Sequence, residues 1–368
     1  MKKMLSLVFA LVMLAAYSMP ASAELKIGGD AQVRPRAQFQ DVETPSGDDQ
    51  EDDLKYMWRV RLNASADLGD GYFFKTLIAA ERSDGVFSNE NNYGNLATVG
   101  YANTENHDLD ISQFYFGRMM ENSHYMAGRM PLNSANNPVF DLTTYPFAPL
   151  EIPTYLINFD RVFGFNYGTK VGPGELNATL CILDNESGDD SPMEGDGLFN
   201  DGYALHLTYK TNIGDITIDP QLLAVLTNAD VFASFFGSAY FPVYNDITPW
   251  TIGTNVAIPA GDTKLTLSGF YTACNDNDVE YDGYLFRVKA ENGPIKAWID
   301  YSSTNDESFG GDNDYNSMFV WAQYNYKVHE SSMGSFTLSP TVRYYTAEID
   351  SDWEYSRLRT ELWATVTF

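Results

Sequence analysis

Four histidines and two cysteines are all that this 368-residue chain holds of imidazole and thiol side chains. His107, His124, His206 and His329 show no metal-ligand spacing. Cys181 and Cys274 are too few to staple a disulfide-rich secreted domain. The C-x-x-C-H motif that attaches haem is absent, as is a nucleotide-binding glycine loop. No cofactor, no metal and no catalytic residue is therefore expected. A barrel enzyme stays open as an alternative, because a triad cannot be read from spacing alone. Basic residues are scarce as well: 23 Lys and Arg stand against 50 Asp and Glu, a formal net charge of -27. Phosphate binding needs basic patches, so nucleic acid is not an expected partner.

Long apolar runs are also lacking, with one exception. The opening "MKKMLSLVFALVMLAAYSMPASA" has Lys2 and Lys3, an apolar stretch, and a small-residue site at Ala21-Ser22-Ala23. Residues 1–23 are expected to be a signal peptide cut after Ala23, leaving 24–368 as the mature chain. A spanning helix needs about 20 apolar residues, which no other stretch supplies. If the chain enters a membrane, it enters as strands.

Aromatic residues, by contrast, are plentiful at 14%, and they sit in segments of period two. In the closing "RLRTELWATVTF", Leu358, Thr360, Leu362, Ala364, Val366 and Phe368 share one face. Arg357, Arg359, Glu361, Trp363, Thr365 and Thr367 share the other. "KIGGDAQVRPRAQF", "WRVRLNASADL", "YALHLTYK" and "FTLSPTVRYY" alternate as cleanly, which is the signature of strands with one apolar and one polar face. Near 72–83, 110–130 and 158–170 apolar residues occupy both parities and the faces blur.

Connections alternate in length. Tight turns rich in Gly, Pro, Asn and Asp occur at 68–72, 171–175, 212–215, 259–263 and 291–294, with slightly longer ones near 119–123 and 329–334. Between them run polar stretches read as long loops: 41–54, 84–109, 131–157, 185–202, 227–248, 275–281, 304–316 and 348–353. About sixteen strands result. Even strand number, short turns on one side and long loops on the other are the marks of a transmembrane antiparallel up-and-down β-barrel. Strands of about 9–11 residues suffice to cross a bilayer when tilted. An even count puts both termini on the periplasmic side, where Phe368 would end the closing strand in an interfacial aromatic girdle.

The hairpin "RVRLNASADLGDGYFFKTLIAAE", the pair "ISQFYFGRMMENSHYMAGRMPL" and the terminal "LWATVTF" resemble the Gram-negative outer-membrane porins, in particular the broad putative-porin group. "VRPRAQF" is also similar to the alginate-export barrels. The resemblance implies an outer-membrane location amid lipid and lipopolysaccharide, a homotrimer, and passage of small hydrophilic solutes. It also implies that the terminal aromatic Phe368 signals to the barrel-assembly machinery.

In such a barrel the polar parity lines a water-filled interior. The expected lining is Arg34, Arg36, Arg59, Arg61, Arg287, Lys289, Arg343, Arg357 and Arg359, joined by Arg82, Arg118, Arg129 and Arg161 from the blurred stretches. The acids are assigned to loops, at 41–53, 184–201, 275–282 and 306–314. Two readings stand side by side: a basic ladder that draws anions through, or arginines paired with lumen acids to hold the wall. The stretch 131–157 is the third long loop, carrying Phe140, Asp141, Tyr145, Phe147, Glu151 and Tyr155. By position it resembles the element that folds inward and narrows general porins, with an outer lid or a subunit contact as the alternatives. "NDNDVEYDG" (275–283) offers oxygen ligands for calcium but lacks the flanks and the twelfth-position Glu of an EF-hand. Passive diffusion is the expected function. A specific channel for organic anions or acidic sugars, and a plugged barrel acting at the surface, are the alternatives.

Overall fold

The computed structural model describes residues 24–80, 96–99, 102, 109–132, 137–147, 149, 161–184, 201–232, 243–276, 278–350 and 353–368. The period-two alternation is realised as sixteen spanning strands closed into an antiparallel transmembrane barrel. In chain order these are β1 (Glu24–Thr44), β2 (Gly47–Gly69), β3 (Tyr72–Ala80), β4 (Leu109–Met119), β5 (Ser123–Pro131), β6 (Arg161–Val171), β7 (Gly174–Asp184) and β8 (Gly202–Ile213). The second half comprises β9 (Ile216–Val225), β10 (Trp250–Ala260), β11 (Thr263–Asp276), β12 (Val279–Asn292), β13 (Ile295–Asp306), β14 (Asn313–Tyr324), β15 (Gly334–Ile349) and β16 (Trp353–Thr367). Tyr326–Ser331 prolongs β14 past Asn325 along β15, and Ala97–Thr98 adds a short pairing to β2.

Each strand pairs with its successor, and β16 pairs with β1 from Asp30↔Thr367 to Glu43↔Glu354. At the seam, Gly29 and Phe368 exchange both backbone hydrogen bonds, at 2.8 and 3.1 Å. The seven tight connections gather at the end that holds both termini. Their backbones demand the residues found there: Gly172, Gly214, Gly261 and Gly293 all have φ between +53° and +62°. At the first turn Asp70 (φ 52°) and Gly71 (φ 80°) supply the two left-handed positions of a mirror-image hairpin turn.

The two faces follow parity. On β1, Ile27, Val33 and Phe39 point outward and are at least half exposed, while Gln32, Arg34, Arg36 and Gln38 are buried inside. Outward apolar side chains meet lipid, and each spanning strand is hydrogen-bonded to a neighbour on both sides, as hydrocarbon requires.

Three stretches read as long loops are strand instead. Residues 41–54 continue β1 and β2 to a tight turn at Thr44–Gly47, and the strands adjoining 275–281 and 348–353 leave only short connections. The acids at 41–53 and many at 275–282 therefore lie on strands rather than in loops. With 21 and 23 residues, β1 and β2 are about twice the length a bilayer needs. Beyond the membrane both sheet faces meet water, so a polar run carries no loop signal there.

Deleting Phe368 removes two seam hydrogen bonds, each contributing about 0.5–1.5 kcal/mol. The expected outcome is a lower urea midpoint for the folded barrel, read by heat-modifiable gel mobility. An unchanged midpoint would show that the seam does not depend on this pair.

Candidate functional site: a divided lumen

The inner wall splits into two sides of different chemistry. Along β15, β16, β1 and β2 it is cationic. Arg34, Arg36, Arg59, Arg61, Arg343, Arg357 and Arg359 all occupy the inward parity that the alternation of these strands dictates. Two carboxylates serve them. Glu361 accepts from Arg36 Nε and from Arg343 at 2.5 Å, with Arg34 at 4.0 Å. Asp30 accepts from Arg59 Nε at 3.1 Å and Arg61 Nε at 2.7 Å. Arg359 Nε donates to Gln38 Oε1 at 2.7 Å, and the Arg357 guanidinium lies 5.6 Å from the Tyr355 ring centre. Like charges 4 Å apart repel by about 4 kcal/mol at an effective dielectric of 20, so Glu361 is what lets three guanidiniums converge. Guanidinium clustering and carboxylate pairing coexist on this wall.

Further round, Arg287 on β12 makes a two-pronged contact with Asp300 at 2.6 and 2.7 Å. Lys289, next inward on the same strand, pairs with Glu291 at 3.2 Å.

The opposite side is filled. Pro138 opens a short helix, α1 (Val139–Thr144), whose six residues are all buried. It lies within the barrel against β9, β10 and β11. Thr143 shares a 2.7 Å hydrogen bond with Thr251 on β10, and Thr304 on β13 donates to the Pro146 carbonyl at 2.7 Å. Beside it lies a small hairpin, Ala229–Phe232 with Val243–Ile247, from the stretch read as the loop 227–248. Phe147 joins the two, with ring centres 5.7 Å from Tyr244, 5.4 Å from Tyr281 and 4.8 Å from Tyr315. Phe140 meets His206 edge-on at 5.1 Å. Tyr244 Oη donates to Asp306 at 2.6 Å, and burial together with that carboxylate raises the phenol above its usual pKa. A fully buried aromatic contributes about 1.5–3 kcal/mol, so this packing holds the segment firmly.

Phe140, Asp141, Tyr145 and Phe147 thus come together inside the barrel, with Asp141 close enough to Arg287 to interact with it electrostatically. Arg82, Glu151 and Tyr155 lie outside the described residues. Three arginines depart from the expected lining. Arg118 shares the outward parity of Phe114 and Phe116; its Nε donates to the Asp70 carbonyl and its guanidinium covers Tyr72. Arg129 pairs across from outward Phe114 and Phe163 and donates to the Ile111 carbonyl. Arg161 has the parity of outward Phe163 but is buried at the head of its strand. All three fall in stretches with apolar residues on both parities, where alternation cannot choose a face.

One feature escaped sequence reading. Trp298, Trp321 and Trp363 form a row of touching indoles on the inner wall. Each has the polar parity of its strand, but only register shows that they are neighbours. Nearby, at the tight-turn end, a cavity of about 370 Å³ is lined by Lys26, Asn63, Ser65, Lys75, Gln113 and Tyr115.

No protein-family model and no curated protein matches this chain. Solved structures do. OprB of Pseudomonas putida superposes with a TM-score of 0.57 over 94% of each chain at 10% identity. An anion-selective porin from Comamonas acidovorans gives 0.56 at 11% identity, covering 94% of this chain and all of the other. The outer-membrane channel DcaP of Acinetobacter baumannii gives 0.53 at 14% identity over 95% and 98%. This is the fold of the Gram-negative outer-membrane porins. Within that porin fold, this chain divides its lumen into an arginine side and an apolar, filled side.

Phe147→Ala empties the centre of the filled side, and such truncations cost about 3–5 kcal/mol. The amide of Tyr145, which donates to the Asp141 carbonyl at 2.8 Å, is expected to exchange deuterium faster in the variant. Equal protection would mean that α1 is held by its threonine contacts alone.

Proposed function

We propose that this chain is a passive diffusion channel of the outer membrane, carrying small hydrophilic solutes and ions, with a bias toward anions. The carrying observation is the arginine wall: seven inward arginines on four neighbouring strands of a sixteen-stranded barrel, five of them gathered on the two carboxylates of Glu361 and Asp30. Rings of like charge lining a pore set its ion selectivity. The segment 137–147 and the small hairpin act as the constriction, restricting passage to the space beside that wall. Support for the reading comes from the porin fold, which the anion-selective Comamonas acidovorans porin shares. Export behind a cleaved signal peptide, delivery by the barrel-assembly machinery through the terminal Phe368, and a homotrimer in lipopolysaccharide-bearing membrane belong to the same proposal. The second reading is a specific channel for organic anions or acidic sugars, favoured by the clustering of Arg34, Arg36 and Arg343 about one carboxylate.

Single-channel recording of the refolded mature chain under a salt gradient tests this. Large ohmic steps with an anion-preferring reversal potential are expected. Silence from a folded barrel would overturn the channel and leave a plugged surface protein.

Glu361→Gln removes the shared carboxylate. Breaking a buried ion pair costs about 3–5 kcal/mol, and the reversal potential is expected to shift further toward anions. Arg36→Gln with Arg343→Gln is expected to shift it the other way. Selectivity unmoved in both would place its determinant off this wall.

A further inference from the structure

The outside of the barrel is uneven in charge. Among the described residues, the basic side chains of the spanning strands that have outward parity are Arg118, Arg129 and Arg161, on the neighbouring strands β4, β5 and β6. Arg161 is buried at the head of its strand. Arg129 gives an N–H to the Ile111 carbonyl and stands between Phe114 and Phe163, whose rings meet edge-on at 6.3 Å. Arg118 lies at the tight-turn end instead. A basic side chain facing lipid is costly at mid-bilayer and tolerated at the interface.

Register builds a row around Arg118. Tyr72 on β3, Arg118 on β4, Tyr125 on β5 and Tyr167 on β6 are successive partners on the outer face. One outward position higher, the same four strands present Phe74, Phe116, Ala127 and Phe165, an apolar surface. Below the row come the tight turns, so it marks the edge of the hydrocarbon, where lipid phosphates sit. Arg129 is about 13 Å further along β5, too deep for a phosphate. The Arg118 side chain is held in place: its Nε donates to the Asp70 carbonyl at 3.1 Å, and its guanidinium lies 4.7 Å over the Tyr72 ring. Tyr125 interacts with both Tyr72 and Arg118. These contacts use Nε and the guanidinium face, and they leave the terminal N–H groups for a ligand. Arg118 makes no ion pair among the described residues.

Chemistry names the ligand. A guanidinium edge flanked by phenol hydroxyls suits the oxygens of a phosphate, and the apolar row above suits the acyl chains of the same molecule. The row holds no carboxylate to receive an ammonium group, so an amine-bearing headgroup gains nothing beyond its phosphate. We propose that Tyr72, Arg118 and Tyr125 form a site for an anionic phospholipid of the periplasmic leaflet, with its phosphate on Arg118 and an acyl chain along Phe74 and Phe116. The site fixes the height of the barrel at its thinnest part, since β3 and β5, with nine residues each, are the shortest spanning strands. It is independent of whether the lumen conducts.

The test is native mass spectrometry of the full mature barrel, folded in detergent. It is titrated with dioleoyl phosphatidylglycerol, with dioleoyl phosphatidylethanolamine and with hexa-acylated lipid A. Phosphatidylglycerol is expected to bind roughly fivefold more tightly than phosphatidylethanolamine, the contribution of one arginine at a membrane surface. Arg118→Gln should abolish that preference, Arg118→Lys should keep part of it, and Arg129→Gln should leave it unchanged. The wild-type comparison needs no variant and decides the matter should Arg118→Gln fail to fold. Equal affinity for the two phospholipids, or a preference that survives Arg118→Gln, would overturn the site. Tighter binding of lipid A would overturn its assignment to the periplasmic leaflet. Displacement of phosphatidylglycerol by free inorganic phosphate would reduce it to an ion site and overturn the lipid. A preference seen in monomers and lost in oligomers would put a second copy over this face, which also overturns it.

Discussion

Hydrocarbon offers an exposed backbone amide no partner, and the ladder joining β1 to β16 removes the edge that would expose a row of them. The seam is finished by Gly29 and Phe368, whose paired bonds carry the ladder to the last residue. Once the sheet is closed, parity alone assigns every spanning side chain to lipid or lumen. The lumen's chemistry is thus a by-product of closure: shift β16 by one residue, and Arg357, Arg359 and Glu361 would face the membrane.

Inside, two different forces meet. The side formed by β8 to β13 behaves like the interior of a soluble protein, with α1 and the small hairpin packed on tyrosines and phenylalanines. The side formed by β15, β16, β1 and β2 is ordered by electrostatics, with Glu361 and Asp30 each holding more than one guanidinium. Apolar packing makes the narrowing rigid, and the charge network makes the facing wall rigid. A passage bounded by both is defined in shape and in charge.

Most of the barrel was legible because membrane strands obey a simple alternation. The parity of β1, β2, β15 and β16, and with it the inward set from Arg34 to Arg359, could be read from the chain, as could the tight turns at Gly172, Gly214, Gly261 and Gly293. Polarity misled where strands leave the bilayer: residues 41–54 carry seven acids yet remain strand, since both faces are wet. Arg118 and Arg129 were misassigned because β4 and β5 carry bulky residues on both parities, Tyr115 beside Phe116 and Tyr125 beside Met126, which hides the face. The small hairpin within 227–248 and the indole row were out of reach, since both depend on which distant residues become neighbours.

The extended β1–β2 hairpin has a consequence for current. Its outer portion bears Asp49 and Glu51 on the inward parity of β2, while the same hairpin carries Arg34, Arg36, Arg59 and Arg61 deeper in the barrel. Along one side of the passage the fixed charge therefore changes sign between mouth and middle. Two oppositely charged zones in series fill with mobile ions under one voltage polarity and deplete under the other. A pore with that charge pattern would rectify, so inward and outward flow of the same salt would not be equivalent.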